Sequence, residues 1–283
     1  MRRIRLDIAY DGTNYHGWQY QEGQSTIEGE LRRALSELLP GEEVGLTGAS
    51  RTDAGVHARQ NTACFDTKSR IPGVNFLMAL NCRLPEDIRV LRSMEAEEDF
   101  HPRFNPHKKV YEYRIDRSRI PDPLKRLYCF PFSFPLSLSE MRLAAEKLVG
   151  EHDFRSFANP DSQVLMHGGE AVRTIYELSL REEGEELILH FEGNGFLYHM
   201  IRILTGTLLE IGSGRRRAAE IPEILAAGDR RRAGFTAPAK GLCLLALCYE
   251  GDSPLPEGNL PRSKAEIMAP VLPQRGTYAG KSC

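Results

Sequence analysis

The sequence is short of several features that would narrow its class, and each absence excludes something. No apolar run in the 283 residues approaches the ~20 needed for a membrane-spanning helix, so no membrane role is expected. The start, MRRIRLDIAYDG, is basic but has no long apolar stretch and no small-residue cleavage site, and it does not read as a secretory signal. The six cysteines, Cys64, Cys82, Cys129, Cys243, Cys248 and Cys283, form no C-x-x-C pair. That scatter fits reduced thiols and a cytoplasmic protein rather than a disulfide frame. The histidines and cysteines also lack zinc-ligand spacing, so no metal site is expected. Strong charge of either sign is missing too. The net charge of −2 argues mildly against a nucleic-acid partner, because phosphate binding depends on Lys and Arg. An average can hide a patch, however. Basic clusters occur at Arg2, Arg3 and Arg5, at Lys108 and Lys109, at Arg215 to Arg217 and at Arg230 to Arg232, and several brought to one face would form a basic groove.

What is present is an ordinary globular composition, 41% hydrophobic and 27% charged. The length suggests two domains. Ile4, Leu6, Ile8 and Tyr10 alternate as in a strand. STIEGELRRALSELLPG predicts a helix, boxed by Ser25 and Glu28, striped by Ile27, Leu31, Ala34, Leu35 and Leu38, and stopped at Pro40 and Gly41. Strands near 44–46 and 63–65, a helix over 74–82 and a strand in DIRVLRSM complete the first half. The second half repeats the order. VYEYRID is strand-like, and SLSEMRLAAEKLVG is a helix boxed by Ser137 and Glu140 and stopped by Gly150. RTIYELSL and ELILHF form two strands around the turn REEGE. LYHMIRILTGTLLEIGSG is a nearly all-apolar helix, a shorter one follows near 221–227, and GLCLLALCY is a buried final strand. The chain therefore reads as α+β, with β-α-β-β-α-β written twice, the ferredoxin-like arrangement that RNA-recognition modules share. The boundary is expected near HPRFNPHKK, and the proline-rich tail over 251–283 is expected to be irregular.

Between two expected strands lies GASRTDAGVHA, residues 48–58. Gly48 and Gly55 would free the backbone, and loops held by a scaffold often carry reactive groups. Asp53 could simply close an Asx-turn, or pair with His57 four residues on. Arg202 stands among Met200, Ile201, Ile203 and Leu204. It either snorkels outward or meets an acid from elsewhere, and Asp53 is an attractive partner. Tyr111 and Tyr113 are either core residues or a stacking platform for a base, with Lys108 and Lys109 meeting phosphates.

Seven segments together resemble the tRNA pseudouridine synthase A family: YDGTNYHGWQ, GASRTDAGVHARQ, DFHPRFNPHKKVYEYRI, EHDFRSFAN, VRTIYELSL, GNGFLYHMIRILTGTLLEIG and GLCLLALCY. They occur in family order and span most of the chain to about residue 250. The resemblance implies two tandem domains, 1–104 and 105–250, whose antiparallel sheets join around an active-site cleft. It implies isomerisation of uridine to pseudouridine in the anticodon stem-loop of tRNA, by a homodimer that uses no organic cofactor and no metal in its chemistry. Asp53 matches the family's catalytic aspartate and nucleophile, and Arg202 the basic residue that pairs with it. Tyr111 matches the tyrosine that stacks on the target base, and could also relay a proton. Arg51 matches an arginine linked to RNA contact and base flipping, and Leu242 a packing leucine. Two further readings compete: a non-catalytic RNA-binding protein on the same doubled fold, and a metal-dependent hydrolase using Asp53 and His57. Residues 160–171 match no pattern and are expected to form a loop near the cleft.

Overall fold

In the computed structural model, which describes residues 1–252, the alternation of Ile4, Leu6 and Ile8 becomes strand β1 (Arg2–Tyr10), with those three side chains fully buried as a period of two requires. The first half adds β2 (Leu46–Gly48), β3 (His57–Thr67) and β4 (Ile88–Ala96). The second contributes β5 (His107–Asp116), β6 (Phe130–Pro131), β7 (Gly150–Asp153), β8 (Val172–Glu183), β9 (Glu186–Gly193) and β10 (Leu242–Tyr249). All lie in one large, mostly antiparallel sheet of order β4-β1-β3-β10-β5-β9-β8-β7, with β2 beside β3 and β6 beside β5. In each half the fourth main strand lies beside the first, the first beside the third and the third beside the second: β4-β1-β3-β2, then β10-β5-β9-β8. The halves meet where β3 and β10 run parallel, through only Cys243 opposite His57 and Leu244 opposite Ala58. The sheet thus runs unbroken across the expected boundary at 104/105. The tail from residue 253 lies outside the described residues.

Among the described residues six α-helices accompany the sheet: α1 (Ile27–Leu38), α2 (Phe76–Asn81), α3 (Leu138–Glu146), α4 (Gln163–Met166), α5 (Met200–Gly212) and α6 (Ile221–Ala227). Helix α1 buries Ile27, Leu31, Ala34 and Leu35 as its stripe predicts. Its cap is Thr26 rather than Ser25, the hydroxyl accepting from the Gly29 N–H at 3.2 Å. Glu28 does not turn back to close a box; it is buried and receives the Gln19 amide and the Tyr20 N–H. Ser137 does cap α3, accepting from Glu140 N–H, but that helix stops at Glu146 and Gly150 opens β7 instead. The helix expected over 74–82 is a 3₁₀ turn followed by the short α2. In α5 every residue but Arg202 and Glu210 is buried, so those two polar side chains must find partners at the helix surface.

The first half is tied to the end of β10 by charge. Asp7 is buried on β1 and receives Arg5 Nε at 3.2 Å, Arg92 Nε at 2.7 Å and the Thr62 hydroxyl at 2.9 Å. Arg5 also holds Asp252 through two 2.7 Å hydrogen bonds. Removing a shared acid from a buried cluster strands the cations around it. Asp7→Ala is therefore expected to lower the unfolding free energy by about 3 kcal/mol in urea titration. A loss below about 1 kcal/mol, the value of an exposed ion pair, would contradict this.

Candidate active site

The loop from β2 to β3 carries Ser50, Arg51, Thr52 and Asp53, and the segment after β1 acts as its mould. Trp18 N–H donates to Thr52 O at 3.0 Å, Gly55 N–H donates to Tyr15 O at 3.3 Å, and the Tyr10 phenol meets the Thr52 hydroxyl at 2.8 Å. From β3, the Asn61 amide donates to Ser50 O at 2.9 Å while its carbonyl accepts the Ser50 N–H at 3.3 Å. The two glycines serve different ends. Gly55 takes φ +76°, the backbone freedom expected of it. Gly48 has no such backbone; a Cβ there would lie 2.4 Å from Trp18 Nε1, so the position needs a small residue for contact.

This loop aims Asp53 at α5. Arg202 Nη1 donates to Asp53 Oδ2 at 3.1 Å, and Arg202 Nε donates to Ala237 O at 2.7 Å. The two side chains are 14% and 15% exposed, so the pair is largely screened from water, where an ion pair orients its members more firmly than at the surface. The Asx-turn and the snorkelling arginine are thus not what forms. His57 is not beside Asp53 either: its ring meets Asp11 Oδ1 at 3.1 Å, the Gly12 N–H at 3.2 Å and Leu127 O at 3.0 Å, which fastens the loop's far end. Among the described residues, Glu177, His190 and Glu192 have metal-ligand spacing. They lie on the sheet face opposite Tyr111, and Lys108 Nζ bonds Glu192 at 2.7 Å.

Tyr111 is buried on β5, its hydroxyl 2.8 Å from Ser50 Oγ and its ring edge-on to Phe196 with centroids 5.4 Å apart. Burial pushes the phenol pKa well up, with a smaller contribution from the Asp53 charge and partial relief from Ser50. The group is therefore a protonated phenol at neutral pH, able to donate or relay a proton. Leu242 is buried opposite Tyr113, with Leu244 opposite Tyr111. Alternation separates the two lysines. Lys109 shares the Tyr111 face, whereas Lys108 is exposed on the other.

The basic clusters do not assemble into one groove. Arg2, Arg3 and Arg5 pair with Glu95, Asp66, Asp7 and Asp252, while Arg216, Arg217 and Arg231 pair with Glu210, Glu220 and Asp229. The cations beside the site come from four separate places: Arg51, Arg103, Lys109 and Arg173. Lys109 Nζ donates to Ala49 O at 3.2 Å, Arg103 Nη2 donates to Gly48 O at 3.4 Å, and Arg51 Nη1 donates to Gln163 Oε1 at 3.0 Å. None has a carboxylate within ion-pair distance among the described residues. Burial first, and then Arg103 and Arg173, press the Lys109 pKa down to about 8. Burial followed by the neighbouring Arg51 likewise lowers that of Arg103. The Gln163 contact also gives residues 160–171 a place: α4 reaches the rim of the site. An open groove of about 650 Å³ runs past Arg103, Phe104, Lys108, Tyr176 and Tyr249, without Asp53, Tyr111 or Arg202 in its lining.

Sequence reasoning missed Arg103, Arg173 and His199. The first two are isolated in sequence, although each lies in a segment that carries the family resemblance. His199 Nε2 lies 3.5 Å from Asp53 Oδ2. Its only signal in the sequence is a position three residues before Arg202, at the mouth of the apolar helix.

Comparison with known proteins agrees with this geometry. The profile of the family described as tRNA pseudouridine synthase matches residues 8–105 and 144–250. The chain is 45% identical over 249 residues to a tRNA pseudouridine synthase A of Brevibacillus brevis, covering 88% of this chain and 100% of that one. It is 42% identical over 264 residues to one of Halalkalibacterium halodurans, covering 93% and 97%. A third, from Thermoanaerobacter sp., is 41% identical over 249 residues, covering 88% and 100%. With matches of this extent lying over the Asp53–Arg202 pair, the chain belongs to the tRNA pseudouridine synthase family.

Proposed function

We propose that this protein isomerises uridine to pseudouridine in the anticodon stem-loop of tRNA, with Asp53 as the reacting carboxylate. The observation that carries the reading is the Asp53–Arg202 pair, which joins a loop of the first half to a helix of the second at 3.1 Å, beside Tyr111 and Ser50. In the reaction the N1–C1′ bond breaks, the uracil turns, and C5 bonds to C1′. C5 loses a proton and N1 gains one. Asp53 serves as a covalent nucleophile at a sugar or base carbon, or assists departure of the base and deprotonates the sugar. Both routes need one aimed carboxylate and a pocket that keeps the free uracil from water.

The surrounding residues take roles to match. Tyr111 stacks on the base and, through Ser50, offers a proton path. Leu242 packs beside the tyrosine-bearing strand, opposite Tyr113. Arg51, exposed at the loop tip, fills the gap left by the flipped nucleotide. Arg51, Arg103, Lys109 and Arg173 meet the phosphates flanking it, while Lys108, across the sheet, contacts RNA only at a distance from the reacting base. The repeated strand order supports reading residues 1–104 and 105–250 as two tandem ferredoxin-like domains with the cleft at their seam. The protein works as a cytoplasmic homodimer and needs neither metal nor organic cofactor. A non-catalytic RNA-binding role would have no use for an acid held by Arg202.

Asp53→Asn is expected to abolish pseudouridine formation on a tRNA transcript while tRNA affinity stays within a few-fold; residual turnover near the wild-type rate would remove the mechanism. Arg202→Met is expected to cut kcat by about 100-fold, as losing one directed charge in a reaction site does, with the fold retained by circular dichroism. Unfolding of that variant would mark a structural ion pair instead. Lys109 yields a third expectation. Its folded pKa of about 8 lies below the ordinary 10.5, so the native state holds this proton less tightly than the unfolded chain. The resulting cost to stability is full below pH 8 and fades as pH rises towards 10.5. Lys109→Met should therefore melt higher than wild type at pH 7, with the gap closing by pH 10, and should bind tRNA more weakly, with a salt slope shallower by about 0.7 to 0.9. A lower melting temperature or unchanged tRNA affinity would contradict it.

A further inference from the structure

His199 is the only residue other than glycine with a positive φ among the described residues, at φ 62° and ψ 3°, and it immediately precedes α5. A left-handed backbone is unfavourable for a side chain with a Cβ, and such outliers persist where the surroundings over-determine them, commonly at functional sites. Here the surroundings do so. Asn159 N–H donates to Tyr198 O at 3.0 Å, and the Tyr198 and His199 rings lie 3.9 Å apart.

The tautomer of His199 follows from its neighbours. Asn159 Oδ1 accepts the Asp161 N–H at 2.9 Å, so the amide nitrogen is the Asn159 atom facing His199 Nδ1 at 3.1 Å. An amide N–H can only donate, hence Nδ1 is the acceptor and Nε2 carries the ring proton. Burial lowers the pKa of the imidazole, and the charges of Arg202 and Arg230 lower it further against the opposing pull of Asp53 and Asp161. The ring is neutral at pH 7, and the nitrogen that carries its one N–H lies 3.5 Å from Asp53 Oδ2. Arg202 donates to the same oxygen.

We propose that His199 is a positioning residue for Asp53: with Arg202 it holds Oδ2, so that Oδ1 is the oxygen presented to the nucleoside. The Asn159–His199–Asp53 chain links the end of the EHDFRSFAN segment to the reacting group, and the 3.5 Å gap closes when substrate binds, as donor contacts at reaction sites commonly do. The inference rests on the activity proposed above.

Two variants separate the ring's reach from its backbone. Asn tolerates the left-handed region, but its amide is too short to replace Nε2; Gln places an N–H close to the Nε2 position. In single-turnover and steady-state assays on tRNA transcript, His199→Asn is expected to lose about 10- to 100-fold in kcat, the effect of one hydrogen bond to a charged group. KM and melting temperature should stay near wild type. His199→Gln is expected to recover most of that loss. The proposal is overturned if His199→Asn turns over like wild type, if the loss falls in KM, or if His199→Gln recovers nothing. Wild-type protein inactive on tRNA would overturn the parent reading instead.

Discussion

Asp53 sits on a loop of the first half and Arg202 on a helix of the second, and their ion pair exists only while the two halves hold together. The backbone link between them is slight: β3 and β10 share two residue pairs. What reinforces it is side-chain chemistry on both sides of the seam. Tyr111 reaches Ser50, Lys109 reaches Ala49 and Arg5 reaches Asp252. The contacts at Ser50 and Ala49 end on the same loop that carries Asp53. Asp53 is therefore held by the junction itself, and whatever loosens the junction also misaims the carboxylate.

The electrostatics follow the same plan. A chain of nearly zero net charge can still serve an anionic substrate if most of its cations are neutralised and a few are left unpaired where they are needed. Arg2, Arg3, Arg5, Arg216, Arg217 and Arg231 are spent on acids. Arg51, Arg103, Lys109 and Arg173 bond only amide and carbonyl oxygens, and burial makes the charges of Arg103, Lys109 and Arg173 costly in the free protein. Under the proposed function that cost is recovered when a phosphate arrives, so the arrangement would trade apo stability for binding.

Much of the fold could be read directly from the sequence. The alternation of Ile4, Leu6 and Ile8, the stripe of α1 and the apolar run of β10 are local statements about burial, and local burial is what periodicity encodes. The departures have a common cause. Ser25 lost the capping role to Thr26 because the segment after β1 folds back and recruits Glu28. The stretch expected to begin a helix at Leu197 begins it at Met200, because His199 is held left-handed beside Asp53. Residues 160–171 carry no period, yet α4 touches Arg51 through Gln163.

The site divides along the same line. From sequence alone come the residue types, the loop that displays Asp53, the odd arginine in an apolar helix and the family those segments resemble. The tertiary structure alone decided which acid Arg202 meets, 149 residues away, which lysine of an adjacent pair shares the Tyr111 face, which four scattered cations stand together, and that a histidine lies 3.5 Å from the carboxylate. Periodicity and capping act over a few residues, whereas ion pairs and hydrogen bonds depend on distance in space, and that distance is set only once the sheet has closed.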